Sequence, residues 1–196
     1  MAWSLSLVTA PSAEPVTLAE AKAHLRVEPD EMEADNLIRS LIASARAHVE
    51  NETGRALMAQ TWDLRLDCWP ITGYITLPKP PLQSVTHVKY YDTAGVQQTW
   101  SPALYQVANG LPPRLAPIDG EVFPTLATMK LNAIEVRFVA GYVSAELVPE
   151  PIRQAIKLLV GHWYEFREEV VVGAAVNSIP SGVAALLFTH RVWSFV

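Results

Sequence analysis

A chemical site shows itself as acids, bases, nucleophiles or metal ligands clustered at workable spacing, and in this chain the side chains able to serve are few and scattered. His24, His48, His87, His162 and His190 stand apart from one another, none in a zinc-protease pattern or beside paired cysteines. His162 and Glu165 lie one helical turn apart and could begin a metal site. Further ligands are not evident, so His162 is expected on a helix surface or in a hydrogen-bonded core position. Cys68 is the single cysteine, which excludes an internal disulfide and reads as a small buried apolar residue rather than a reactive thiol. Asp63 and Asp67 flank Arg65 at strand spacing. A carboxylate pair there could do acid-base work, but the pattern reads as a solvated charged face. The glycines make neither a dinucleotide fingerprint nor a phosphate loop, and no serine stands in a nucleophile elbow. The expectation is no catalytic residue, no cofactor-binding residue, no metal ligand and no cofactor, in a chain that is not an enzyme.

Aromatic residues carry a stronger signal. Trp163, Tyr164 and Phe166 stand at the end of a helical pattern, where core packing accounts for at least two of them. Tyr90 and Tyr91 are neighbours on a strand and point to opposite faces, so one looks outward. Trp69, Tyr91 and Trp100 could stack a carbohydrate or receptor group, although aromatics scattered over a sheet are ordinarily core or interface members. Near the C-terminus Leu186 and Leu187 form a short apolar stripe, Arg191 follows it, and Trp193 and Phe195 project to one side of an extended tail. Apolar residues in such a tail either pack back on their own domain or dock on a partner. The expectation taken forward is docking, with Leu186, Leu187, Arg191, Trp193 and Phe195 as partner-binding residues.

The elements that must position these residues follow from periodicity. Thr17-Leu18-Ala19-Glu20 is a capping box opening a short helix, with Leu18, Ala21 and Leu25 on one face and Pro29 closing it. Asp30 and Glu33 repeat a weaker start signal. In the longer helix that follows, Ile38, Leu41, Ile42, Ala45 and Val49 form one stripe, and Gly54 ends it. From Thr61 the period becomes two: Trp62, Leu64, Leu66 and Cys68 alternate with polar neighbours. Further strands are expected at residues 74–77, 85–91, 96–100, 105–107 and 133–140, with Asp92 to Gly95 as a hairpin connection. Residues 108–129 carry Pro112, Pro113, Pro117 and Pro124, and no element is expected there. Helical spacing returns after Pro149 and Pro151 with Ile152, Ala155, Ile156, Leu159, Trp163 and Phe166. A loop over residues 168–179 leads to a last short helix with Val183, Leu186, Leu187 and His190 on one face. The fold class is α+β: residues 1–58 and 147–196 supply a helical core, and residues 59–146 form a β-rich insertion in one domain.

Composition narrows the function classes. The 196 residues carry a formal net charge of −5 without blocks of like charge, so a basic groove for nucleic acid is not expected. Half of the residues are hydrophobic and six are Trp, with a mean hydropathy of +0.16. That surplus over a small domain's needs points to subunit contacts. The first residues lack the pattern of a secretory signal and no apolar run approaches the roughly 20 residues of a membrane span. A soluble protein made in the bacterial cytoplasm is expected, with no membrane partner.

Several segments together resemble the phage head-tail connector (adaptor) family of long-tailed phages and gene transfer agents. They are Pro15 to Lys22 with Leu25-Arg26, Thr53-Gly54-Arg55-Ala56-Leu57, Leu77-Pro78 with Pro80-Pro81-Leu82 and Ser84-Val85, and Tyr91-Asp92 with Gly95. Tyr105, Phe138 with Ala140-Gly141-Tyr142, Val148-Pro149 with Pro151, Tyr164 with Arg167, and Leu186-Leu187 with Arg191-Val192-Trp193 complete the set. Phe188-Thr189-His190 departs from the family, which more often has a Pro-Tyr pair there. The resemblance implies a helical core with a β insertion and a dodecameric ring in the neck of the particle. It also implies as partners the portal protein, a stopper or tail-completion protein and further copies of the chain, with duplex DNA passing through the lumen without specific binding. The competing expectations are another neck component, such as a stopper or tail-completion protein, and a carbohydrate- or receptor-binding module.

Overall fold

A computed structural model describes residues 2–127, 130–166 and 181–192, and its chain divides into a helical unit (residues 12–58 and 143–195) and a β unit (residues 1–11 and 59–142). The α+β class inferred from periodicity is the one observed.

In the helical unit, α1 (Leu18–Leu25) starts at the capping box. The Glu20 amide donates to Thr17 Oγ1 at 3.2 Å and the Thr17 amide donates to Glu20 Oε2 at 2.8 Å, which satisfies two orphan donors reciprocally. Burial disfavours the charged form of Glu20, but the Thr17 amide and hydroxyl and Arg153 outweigh it and hold the carboxyl below its ordinary range. Next, α2 (Asp35–Thr53) buries the stripe Ile38, Ile42, Ala45 and Val49 and ends at Gly54, whose φ of 69° is left-handed. It begins later than the Asp30 and Glu33 signal implies, with Ala34 as an N-cap that accepts no side-chain bond. The preceding loop is fastened instead by the buried Lys22, which donates to the carbonyls of Pro29 and Glu31 and pairs with Asp35. The third helix, α3 (Glu150–Glu165), carries Pro151 in its first turn, where no amide hydrogen is needed, and buries Ile152, Ala155, Ile156, Leu159 and Val160. Phe166, placed on this stripe by its spacing, follows the last helical residue and is exposed. Finally α4 (Ser181–Phe188) packs on α3 and α2 through Val183 and Leu187.

The β unit holds two antiparallel sheets. One has the order β1-β2-β8-β4-β5, formed by β1 (Trp3–Thr9), β2 (Gln60–Leu66), β4 (Leu82–Tyr91), β5 (Gln97–Trp100) and β8 (Ile134–Ala140). The other has the order β3-β7-β6, formed by β3 (Ile75–Thr76), β6 (Tyr105–Ala108) and β7 (Arg114–Pro117). Register carries an apolar row across the larger sheet, from Leu5 through Leu64, Val136 and Val88 to Trp100. Leu64, Val136, Val88 and Trp100 are buried, and fully burying a side chain of this size contributes about 1.5–3 kcal/mol.

Three expectations are corrected here, and one element is added. Residues 108–129 contain β7, the central strand of its sheet: Pro113 precedes it and Pro117 is its last residue, so neither interrupts the ladder. Residues 3–9 form β1, an element to which the periodicity reading assigns nothing. Cys68 is exposed, because β2 ends at Leu66 and the alternation no longer governs the turn that follows. Asp63 is 2% exposed rather than part of a solvated face, since the guanidinium of Arg137 on β8 reaches across to it.

Candidate docking surfaces

The end of α2 is built to hold the C-terminal segment. Gly54 turns the chain sharply out of the helix, which leaves the last carbonyls of α2 without helical partners. Thr53 Oγ1 donates to the Val49 carbonyl at 2.6 Å, and the Thr53 carbonyl accepts the Val192 amide at 2.8 Å. One residue beyond the turn, Arg55 is 8% exposed and its Nε donates to the His190 carbonyl at 2.6 Å. Arg191 pairs with Glu52 in the last turn of α2. Glu50 completes the corner by accepting the Leu57 amide at 2.8 Å and pairing with Arg46, which also binds Glu14 at 2.7 Å. Residues 190–192 are thus tied to residues 52–55 by one ion pair and two hydrogen bonds to main-chain carbonyls. The imidazole of His190 is pushed below its ordinary pKa by burial and then by the neighbouring Arg55 charge.

The five docking residues named from sequence fall in different places. Leu187 is 2% exposed and belongs to the core of the helical unit. Leu186 is half-buried, and Arg191 faces solvent while paired to Glu52. Trp193 and Phe195 lie outside the described residues. Sequence reasoning did not find the corner at Thr53, Gly54 and Arg55 as a clamp. The signal available for it was an arginine placed directly after a helix-ending glycine, which points a long donor back toward whatever packs on the helix end.

On the β unit, one face of the larger sheet is an ion-pair lattice. Asp63 accepts from Arg137 at 2.7 and 2.9 Å and lies 3.3 Å from Arg65. Glu135 pairs with Arg65 at 3.1 Å and with His87 at 3.2 Å. The Arg137 hydrogen bonds hold the Asp63 carboxyl below its ordinary range despite its burial. A carboxylate held this firmly in its charged form neither gives nor takes a proton near neutrality, so its work is to fix β2 against β8. Among the described residues no group of three His, Cys, Asp or Glu could hold a metal.

The aromatics proposed for stacking a ligand are largely internal. Trp69 stacks on Phe123 with centroids 4.6 Å apart, touches Trp100 and Tyr90, and donates its indole N–H to the Pro124 carbonyl at 2.7 Å. Trp100 is 3% exposed and packs on Tyr105. Tyr91 looks outward, and Lys130 Nζ sits 3.5 Å above its ring. Trp100 is buried and the half-buried Trp69 is engaged by Phe123, Trp100 and Tyr90, so two of the three pack on neighbours within the unit rather than standing on an open face. The larger sheet ends in two edge strands, β1 and β5, and on β1 Trp3, Leu7 and Val8 are 57%, 47% and 44% exposed.

The sequence matches the family model described as phage gp6-like head-tail connector protein over residues 15–111. The fold is similar to a chain in the neck of an empty GTA particle computed with C6 symmetry, at 29% identity and a TM-score of 0.81, covering 98% of this chain and 97% of that one. A chain of the virion of a native gene transfer agent particle matches with the same identity and coverage and a TM-score of 0.80. A third match, in the neck of a native GTA particle computed with C12 symmetry, has a TM-score of 0.78 at 29% identity. No curated protein sequence matches the chain.

Proposed function

The chain belongs to the phage head-tail connector family, and from that premise we propose that it is a structural adaptor, forming a ring between the portal protein and the tail of a phage or gene transfer agent particle. The observation that carries this is the match over 98% of the chain to proteins of particle necks. Assembly in copies related by rotation follows from the C6 and C12 symmetry of those necks. The adaptor is not an enzyme. It is made in the bacterial cytoplasm and works in the neck of the virion, beside the portal on one side and a stopper or tail-completion protein on the other.

Duplex DNA passes through the lumen without specific grip. The β unit carries six acidic and six basic residues, and the helical unit fourteen acidic against nine basic. Tight binding draws on a surplus of cations neutralising phosphates, and neither unit has one.

The C-terminal segment, residues 181–196, docks the adaptor on a neighbouring neck component, most directly the portal, through Leu186, Arg191, Trp193 and Phe195. Leu187 supports it from within the core. The clamp at Thr53, Gly54 and Arg55 favours this assignment because it fixes Val192, the point from which Trp193 and Phe195 depart. Aromatic anchors of this kind commonly cost about 2 kcal/mol or more when truncated. Deleting residues 193–196 leaves every contact of the clamp in place. The free subunit is expected to melt like the full chain, while particles fill their heads but fail to retain tails. A sharp loss of folding stability, or normal tailed particles, would contradict the assignment.

A further inference from the structure

We infer that successive copies in the ring are joined strand to strand, the open edge of β1 in one copy pairing in parallel with the open edge of β5 in the next. This rests on the ring proposed above. β1 ends its sheet, so one side of its backbone has no strand beside it. Native edge strands are ordinarily guarded by charge or proline against pairing with another chain. From Trp3 to Thr9 this edge has neither, and Trp3, Leu7 and Val8 stand exposed on it. β5 ends the same sheet on the other side, is likewise uncharged, and exposes Gln97, Gln98 and Thr99.

Symmetry selects between the ways such edges can meet. A ring is propagated by a contact between two different patches, one facing each neighbour. A β1 to β1 pair is a two-fold contact and stops at a dimer. β1 with β5 supplies the two different edges, and both belong to one sheet. The four pairings of that sheet are all antiparallel, so β1 and β5 have the same sense, apart from the twist that accumulates across the sheet. Neighbours in a twelve-fold ring are turned by only one-twelfth of a revolution, which keeps the sense of each strand. The new pair is therefore parallel. Register adds continuity: the apolar row ends in Leu5 at one edge and Trp100 at the other, so the next copy carries it on. Ser4 and Ser6 lie on the opposite face with Arg65 and Asp63, and Gln97 and Thr99 share that face through Tyr91 and Lys89.

Paired strands approach to about 4.8 Å, within reach of a disulfide. In a Cys68→Ser background, Ser4→Cys or Ser6→Cys is combined with Gln97→Cys or Thr99→Cys in the full chain, and assembled particles are oxidised. The expected result is a ladder of covalent oligomers rising toward the full ring, absent from each single-cysteine variant. Rings without a cross-copy disulfide in any of the four combinations overturn the strand contact and leave the ring standing. A covalent dimer from Ser4→Cys or Ser6→Cys alone overturns it in favour of a two-fold contact, whereas a neck with no ring of this chain removes the functional proposal and this one together. Ser6→Lys places a charge on the edge and is expected to enter particles at least tenfold less well while melting normally. Undiminished incorporation counts against the pairing.

Discussion

Replacing Arg55 by Ala tests how the C-terminal segment is held. Arg55 is 8% exposed and its Nε bonds the His190 carbonyl at 2.6 Å. A hydrogen bond from a charged donor is worth about 1.5–3 kcal/mol. The substitution removes that bond, leaves the His190 carbonyl without its donor and strips the packed methylenes of the arginine stem. A loss of about 3 kcal/mol is expected, which for a chain of this size lowers the melting temperature by about 6–12 °C. Calorimetry of the purified full chain measures the melt, and hydrogen exchange at the Val192 amide, bonded to the Thr53 carbonyl, reports the clamp directly. That amide is expected to exchange faster in the variant. Arg55→Lys keeps the charge but not the planar donor, and falls between wild type and Ala. Wild-type melting in the Ala variant together with undiminished protection of Val192 would refute the clamp.

Asp63→Asn should destabilise the β unit by about 1.5–3 kcal/mol, because it breaks a bidentate charge-assisted pair whose arginine remains only partly hydrated. Since the folded Asp63 carboxyl titrates below its ordinary range, its contribution is present above about pH 4 and lost as pH falls through the folded value. Acid unfolding curves of wild type should therefore be steeper in that window than those of the Asn variant. His190 is depressed as well, so the unfolded chain takes up a proton before the folded one does. Stability is fully present above about pH 6.5 and declines as pH falls through the folded value. His190→Gln should flatten this decline below about pH 6.5, and an unchanged slope would exclude His190 as its source.

Elements whose signals are local were legible in the sequence. The Thr17 and Glu20 box, the stripe of α2 and the stop at Gly54 each depend on residues within a few positions, and the structure has all three. β1 was legible too, because Trp3, Leu5 and Leu7 alternate with Ser4 and Ser6 at the period of two of a strand. β7 was hidden because four prolines suggest a loop, whereas two of them mark its boundaries. The burial of Asp63 was not legible: it depends on Arg137, which register alone brings beside it. The same holds for the clamp, in which residues 52–55 meet residues 190–192 across most of the chain. Leu187 shows the limit for docking residues, since a short apolar stripe reads alike whether its partner is another subunit or α3.

Symmetry-resolved electron cryo-microscopy of purified particles, with this chain traced in the neck, tests the central claim most directly. A closed ring of copies of this chain between portal and tail, with duplex density through its lumen, is the expected result. Its absence from the neck, or its presence as a single copy away from the portal, would contradict the assignment as a ring-forming adaptor.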